Sequence, residues 1–471
     1  MIAVAIFEVL AITPATVHDR GSCPTPRRPA VTIAENPTVT ENPVAAGVDI
    51  FSPTRPPARP ELVDVERFQD PRVFDAEMTK LWGKVWQIAC LLSEVPNTGD
   101  YHEYVVGPWS FLVVRTGPAE HDVKAYHNVC HHRGRKVKTG SGNATQLMCI
   151  YHGWTWSLDG HIEHIPERQA FCPFADEDVR LTEVQAEVYK DFVFINPDPQ
   201  APPLAGHLAG MADVIEPYRY ERMYRWRSMS TTLRGNWKNV VDAFTENYHA
   251  RTVHPESTPF IEYANPVVRL VDDHSLNVSP FGLPDSLTYG EPPDIDDALD
   301  AMEWALQAFG EDTTAVGALR QMAGLQPGPG LRSTLLELTK AGYQQMGLDV
   351  SGLTDSQLVD NWHFHVFPNI LVNQYSFGYW LFRVRPIDSE YSAFDMWYAH
   401  RVPDGADVPP PVETEVIPEG GSCGGVMDQD FSNIPHQQLG QKSPAFKGCR
   451  LSDIEARCRH MHDVIDRYLG A

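Results

Sequence analysis

Positive charge is what this chain has least of. Its 471 residues carry 38 Lys and Arg against 62 Asp and Glu, a formal net charge of -24. A nucleic-acid groove or an anionic membrane contact needs a basic face, so neither partner is expected. Long apolar runs are missing too: none approaches the ~20 residues of a membrane span. The apolar start, IAVAIFEVLAITPA, is short, holds Glu8 and has no Lys or Arg ahead of it, whereas a secretory signal opens on positive charge. Cysteine gives no disulfide framework. The eight cysteines, Cys23, Cys90, Cys130, Cys149, Cys172, Cys423, Cys449 and Cys458, are scattered, and a reducing cytoplasm is the default compartment.

The length allows two or three domains with real cores. Residues 1–64 are rich in Pro and Thr and include RPPARP at 55–60, which predicts a disordered leader. From Val105 onward, SFLVVR, VKAYHNV and DFVFIN are β-branched and aromatic runs bounded by turn residues, which predicts small antiparallel sheets. One of these strands ends in CHHRG, residues 130–134, and CIYHGW follows at 149–154. Cys130 with His132, and Cys149 with His152, are thiolate and imidazole pairs close enough in sequence to point into one site. Two centres fit such a set. A structural zinc takes two Cys and two His in a tetrahedron; a Rieske 2Fe-2S cluster takes two Cys on one iron and two His on the other.

A second constellation lies in NWKNVVDAFTENYHARTVHP, residues 236–255. Trp237 to Tyr248 contains no Gly or Pro, so the spacing predicts a helix with Glu246 and His249 on one face. His254 is five residues beyond His249, out of register for an ideal helix, which predicts loosening between Ala250 and Val253. Pro255 favours an end near His254. Two imidazoles plus one distant carboxylate form the ligand set of non-haem Fe(II) oxygenases.

CxHRG with CxxHGW, beside Gly134, Gly140, Gly142, Gly153 and Arg133, resembles the Rieske non-haem iron aromatic ring-hydroxylating oxygenases, large (α) subunit, over about residues 65–471. The resemblance implies an α+β chain: an N-terminal Rieske antiparallel β domain at 65–205, then a helix-grip catalytic domain at 206–471. It implies Cys130, His132, Cys149 and His152 as cluster ligands, with His131 pointing away and no inter-loop disulfide. It implies His249, His254 and Asp430 as ligands of a mononuclear Fe(II), Asp430 coming from VMDQDFSNIPHQQLGQKS with Asp428 as the fallback. Glu246 stands where most ring-hydroxylating members have Asp and is similar to the carnitine-type monooxygenases. That carboxylate would pass electrons from one subunit's cluster to the next subunit's iron.

The activity so implied is that of a terminal oxygenase acting on an aromatic or other apolar ring, with a quaternary ammonium monooxygenase or a demethylating one as the alternative. No GxGxxG fingerprint occurs, so an NAD(P)H-dependent reductase, and a ferredoxin where one intervenes, is a separate partner. A homotrimer or an α3β3 assembly with a small β subunit follows from cross-subunit transfer.

Between the histidines and Asp430, Ile295, Leu299, Met302, Leu306 and Phe309 recur at helical spacing, and LRSTLLELTKAGYQQM predicts another helix. These either cap the pocket or form a packed insertion. NWHFHVFPNILVNQY, YWLFRVRP and SAFDMWYAH predict strands, with His363 and His365 on one face as a weak imitation of a metal pair. Asp242 is left between a role behind the iron site and a solvated helix position. The last helix is expected from Leu451 to Leu469, opened by Ser452 and Glu455 as a capping box, with its apolar stripe across a sheet.

Overall fold

The structure is a computed structural model that describes residues 55–470; the expected leader lies, for residues 1–54, outside the described residues. Residues 55–64 do not behave as leader. Val63–Asp64 pair antiparallel with Gly448–Cys449, Val63 is buried, and Arg59 pairs with Asp463 at 2.6 Å. Val63 thus fixes the segment to Gly448–Cys449, and Arg59 fixes it to the C-terminal helix.

The N-terminal half is built on strands β1 (Gln87–Leu91), β2 (Asp100–Val106), β3 (Trp109–Arg115), β4 (Val123–His127), β5 (Ser141–Asn143), β6 (Leu147–Met148), β7 (Thr155–Trp156), β8 (Ile162–His164), β9 (Glu183–Tyr189) and β10 (Phe192–Asn196). Seven of them form one sheet in the order β1-β10-β9-β4-β3-β2-β5, and β6-β7-β8 form a second. Every pairing is antiparallel. The two motif loops hang from this frame: CHHRG follows β4, and CIYHGW joins β6 to β7.

The C-terminal half is an eight-stranded sheet. Its strands are β11 (Met223–Leu233), β12 (Val267–Val271), β13 (His274–Ser279), β14 (Asn361–Val366), β15 (Ile370–Tyr375), β16 (Gly378–Pro386), β17 (Ser392–Arg401) and β18 (Glu415–Val416). They are ordered β12-β13-β14-β15-β16-β17-β11-β18, antiparallel except for β11 with β18. Helices α1 (Trp237–Thr245), α2 (Ala250–Val253), α3 (Ile295–Ala308), α4 (Pro329–Gln345), α5 (Gly425–Gly440) and α6 (Ala456–Leu469) pack around it.

Strand alternation divides β13 and β14 cleanly. Leu276, Val278, Trp362, Phe364 and Val366 join one core with Leu331, Leu335 and Leu338 of α4, each such burial worth roughly 1.5–3 kcal/mol. The period of two then turns Ser275, Asn277, Ser279, Asn361 and His363 to the other face, toward α1 and α6. Helix α6 starts at Ala456, later than the expected Leu451, because Ser452 N–H and Oγ both bond Glu455 Oε2 at 2.8 Å in a turn ahead of it. Its Met461, Val464 and Ile465 join the core that holds Trp82, Trp237, Val240 and Leu371, Cys458 Sγ meets Asp242 O of α1 at 3.5 Å, and the helix also touches β12 and β13.

Residues 65–82 link the halves. Trp82 meets Trp237 edge-on with ring centroids 5.2 Å apart, and Glu77, fully buried, accepts from Trp237 Nε1 and Lys238 Nζ.

Candidate metal centres

The first centre is one turn used twice. Cys130 N–H donates to Arg135 O at 2.8 Å and Gly134 N–H to Cys130 O at 2.9 Å; Cys149 N–H donates to Trp154 O at 2.8 Å and Gly153 N–H to Cys149 O at 2.9 Å. Each turn closes through a glycine at positive φ, +76° at Gly134 and +78° at Gly153, where a side chain would be strained. Cys130 and Cys149 are buried. His132 and His152 stand toward solvent with their Nδ1 atoms 3.0 Å apart. Trp154 stacks on His132, centroids 5.2 Å apart and planes 5° from parallel, which fixes that ring. Two sulfurs inside and two nitrogens outside match a cluster whose inner iron takes thiolates and whose outer iron takes imidazoles. His131 is exposed.

The second centre gathers His249, His254 and Asp430, whose candidate ligand atoms all lie within 4.8 Å of one another. Asp430 Oδ1 is 3.4 Å from His249 Nε2 and 2.9 Å from His254 Nε2. The other ring nitrogens are engaged from behind: His249 Nδ1 with Glu246 Oε1 at 2.6 Å, and His254 Nδ1 with Gln429 Oε1 at 2.8 Å. Both partners accept only through these oxygens, so each Nδ1 carries the proton and each Nε2 turns to Asp430. Burial disfavours a charged His249, yet the Glu246 and Asp430 carboxylates outweigh it and raise its pKa to about 10. Asp430 is buried too, and its bonds to the two imidazoles hold it below the ordinary carboxylate value. Such a trio is a seat prepared for a cation at the Nε2 side, and two imidazoles with one carboxylate suit a ferrous ion.

The local chain differs from the expected helix. Helix α1 stops at Thr245, and Glu246 is extended at φ -118°, ψ 161°. Its carboxylate accepts the N–H groups of Tyr248 and His249, capping the next turn. The break therefore falls at Glu246 rather than between Ala250 and Val253, which are helical as α2. His254 does end that turn, at φ -125°, ψ 50°, where Pro255 disfavours helix in the residue before it.

Asp430 rather than Asp428 meets the histidines, because Asp428 is tied to the preceding loop through Ser422 Oγ at 2.5 Å and Cys423 N–H at 2.7 Å. Asp242 bonds His462 Nε2 at 2.9 Å, anchoring α1 to α6. His363 and His365 form no metal pair: Arg457 occupies His363 Nδ1 at 3.0 Å, and His365 Nε2 meets Pro368 O at 3.1 Å.

Beside this centre is a cavity of about 190 Å³ whose walls include Phe244, Phe281, Trp304, Phe309, Tyr375 and Trp380 as well as the three candidate ligands. Helix α3 supplies Met302, Trp304 and Leu306, so it caps the pocket. Among the described residues, no Lys or Arg lines it.

A family model described as "Rieske [2Fe-2S] domain" matches residues 85–185, and one described as "Ring hydroxylating alpha subunit (catalytic domain)" matches residues 217–471. The chain belongs to the ring-hydroxylating alpha-subunit family. It therefore joins a Rieske 2Fe-2S domain to a catalytic domain of the mononuclear-iron type. Among curated proteins it is 33% identical over 192 residues to the carnitine monooxygenase oxygenase subunit of Escherichia coli K12, covering 40% of this chain and 50% of that one. It is 30% identical over 210 residues to the biphenyl dioxygenase subunit alpha of Metapseudomonas furukawaii, covering 41% and 44%. The aligned stretches thus span about half the length of these relatives. A crystal structure of a quaternary ammonium Rieske monooxygenase with L-carnitine shares the fold at a TM-score of 0.59 and 17% identity, covering 86% of this chain and 95% of that one.

Gln429 is the residue that reading the sequence missed. Its only signal was adjacency to Asp430 on one helix. Gln429→Leu should leave His254 Nδ1 without its acceptor and weaken iron binding about 10–100-fold. Chelator competition on the iron-loaded chain measures this, with the cluster's visible absorbance unchanged.

Proposed function

We propose that this alpha-subunit chain is the terminal oxygenase component of a multicomponent system, hydroxylating an aromatic or other apolar ring with O2 and electrons from an NAD(P)H-dependent reductase, directly or through a ferredoxin. The observation that carries the reading is the presence of two separate donor sets in one chain. Cys130, His132, Cys149 and His152 would hold the 2Fe-2S cluster, in a domain at 65–205; His249, His254 and Asp430 would hold the iron, in a domain at 206–471. When bound, the cluster supplies single electrons and the iron supplies O2 activation.

The chain's own residues do the rest. Glu246 and Gln429 hold the protons on the two Nδ1 atoms and so aim both Nε2 atoms inward. The aromatic walls receive the ring and exclude water. Among the described residues the cysteines are dispersed and free, which suits a reducing cytoplasm, and no helix is long and apolar enough to cross a membrane. Assembly as a homotrimer or as α3β3, with Glu246 serving the neighbouring subunit's cluster, completes the proposal.

A second reading is favoured by Glu246 itself and by the likeness to the carnitine monooxygenase subunit: oxidation of a quaternary ammonium compound, its cation against Trp304, Phe309 and Trp380. Product analysis after supplying electrons and O2 to a panel of arenes and ammonium compounds separates the two. A protein that purifies with two irons per chain, or oxidises neither class, would defeat both readings. Glu246→Gln should keep an acceptor for His249 and retain the iron, yet lower product formation by about 10–100-fold while dithionite still bleaches the cluster.

A further inference from the structure

The floor of the cavity is polar although its walls are not. Ser279 and Asn361 face each other across β13 and β14, as do Asn277 and His363, and Ser279, Asn361, His363 and Asn373 all line the cavity. Beneath this floor lies Arg457 of α6, 1% exposed. Among the described residues, every contact of its guanidinium is to a neutral group. Nε donates to Ser275 Oγ at 3.0 Å and Nη1 to Thr245 O at 2.9 Å, while Nη2 reaches His363 Nδ1 at 3.0 Å, His363 O at 3.4 Å and Ser275 O at 3.5 Å. The buried arginines of the eight-stranded sheet, Arg225, Arg383 and Arg401, each meet a carboxylate. Holding a buried cation away from any carboxylate is unfavourable.

The hydrogen-bond pattern passes that charge to the cavity. A guanidinium can only donate, so His363 Nδ1 must accept, and the proton of the neutral ring sits on Nε2. Burial first, then the Arg457 charge, hold His363 well below its ordinary pKa, so it is neutral. The cavity thus has one N–H donor polarised by a cation behind it. Beside it, Asn361 Oδ1 is buried without a hydrogen-bond partner among the described residues, while Asn361 Nδ2 bonds Asn373 Oδ1 at 2.9 Å. With both amides turned, the pair keeps its bond and Asn361 presents an N–H at the same place.

Resting on the oxygenase reading above, we infer that His363 and Asn361, backed by Arg457, seat the carboxylate of an acidic substrate whose remainder lies against the aromatic walls. An arene carboxylate and a betaine both carry that group.

Calorimetry on the iron-loaded wild-type chain, independent of turnover, compares benzoate with benzamide and glycine betaine with choline. At least one of the two acids should bind more than about tenfold more tightly than its uncharged-end partner, and which pair shows the preference identifies the source. In His363→Leu that ratio should fall toward one, and His363→Gln, which restores an N–H donor, should recover part of it. No preference for either acid in the wild-type chain, or an undiminished preference in an iron-loaded His363→Leu, overturns the subsite. Because the wild-type ratios decide by themselves, a variant that fails to fold does not rescue the idea. A carboxylate preference with no compound oxidised upholds the subsite and counts against the oxygenase reading; oxidation of toluene with no preference does the reverse.

Discussion

Asp430→Ala is expected to purify with two irons per chain instead of three, with its cluster absorbance intact and with substrate oxidation reduced by more than about a hundredfold. The carboxylate is 8% exposed and, among the described residues, is the one anion that both Nε2 atoms face. Removing it leaves two imidazoles, too few donors to hold a divalent ion against water and buffer. The effect should exceed that of losing a supporting group such as Gln429, which costs about 10–100-fold. Asp428→Ala is the matched control. Asp428 is bonded to Ser422 and Cys423, so that variant should keep three irons. Iron and acid-labile sulfide assays on the two proteins check the pair; two irons in the Asp428 variant and three in the Asp430 variant would reverse the assignment.

The contrast between these two aspartates shows what could be read from sequence. Cys130 with His132, Cys149 with His152, and His249 with His254 are legible because each pair sits within one short segment, where spacing limits the geometry. Asp430 is 176 positions from His254, and only the resemblance linked them. The strands were legible through alternation, most clearly in NWHFHV, where Trp362, Phe364 and Val366 are core and His363 faces the cavity.

The end of α1 was not legible. Thr245, Glu246, Asn247 and Tyr248 permit a helix, and no Gly or Pro marks a stop. What ends it is Glu246 turning its carboxylate onto the N–H groups of Tyr248 and His249 and onto His249 Nδ1, a tertiary requirement that overrides propensity. The same limit hid Arg457: a lone Arg on an amphipathic helix reads as a surface residue until the fold puts it under a sheet.

The largest stability effect is expected at Asp395→Asn, because this residue ties the two halves of the molecule together. Asp395 Oδ2 accepts from Arg383 Nε and Arg385 Nε, both at 2.8 Å, and Oδ1 from Arg385 Nη2 at 3.0 Å and Ser230 Oγ at 2.7 Å. The arginines then reach into the N-terminal sheet: Arg383 Nη1 donates to Ile88 O at 2.9 Å and Ala89 O at 2.7 Å, and Arg385 Nη1 to Val105 O at 2.8 Å. Asp395 is 3% and Arg383 6% exposed, so the amide variant leaves buried guanidinium charge unpaired, at a cost of about 3–5 kcal/mol.

The pH dependence fixes the cause. Burial alone would raise the Asp395 carboxyl, but the Arg385 and Arg383 charges reverse that and hold it well below the ordinary carboxylate value. An unfolded Asp titrates near about 3.9, so below that point the unfolded chain takes up a proton that the folded chain refuses. The stabilisation is therefore complete above about pH 5 and is lost as pH falls through 4 toward the folded value. Urea unfolding should show the same gap between wild type and variant at pH 8 and pH 6, and a narrowing gap below about pH 4. A gap under about 1 kcal/mol at pH 7 would mean that the arginines are held by the backbone carbonyls alone, and that the two sheets meet without help from this carboxylate.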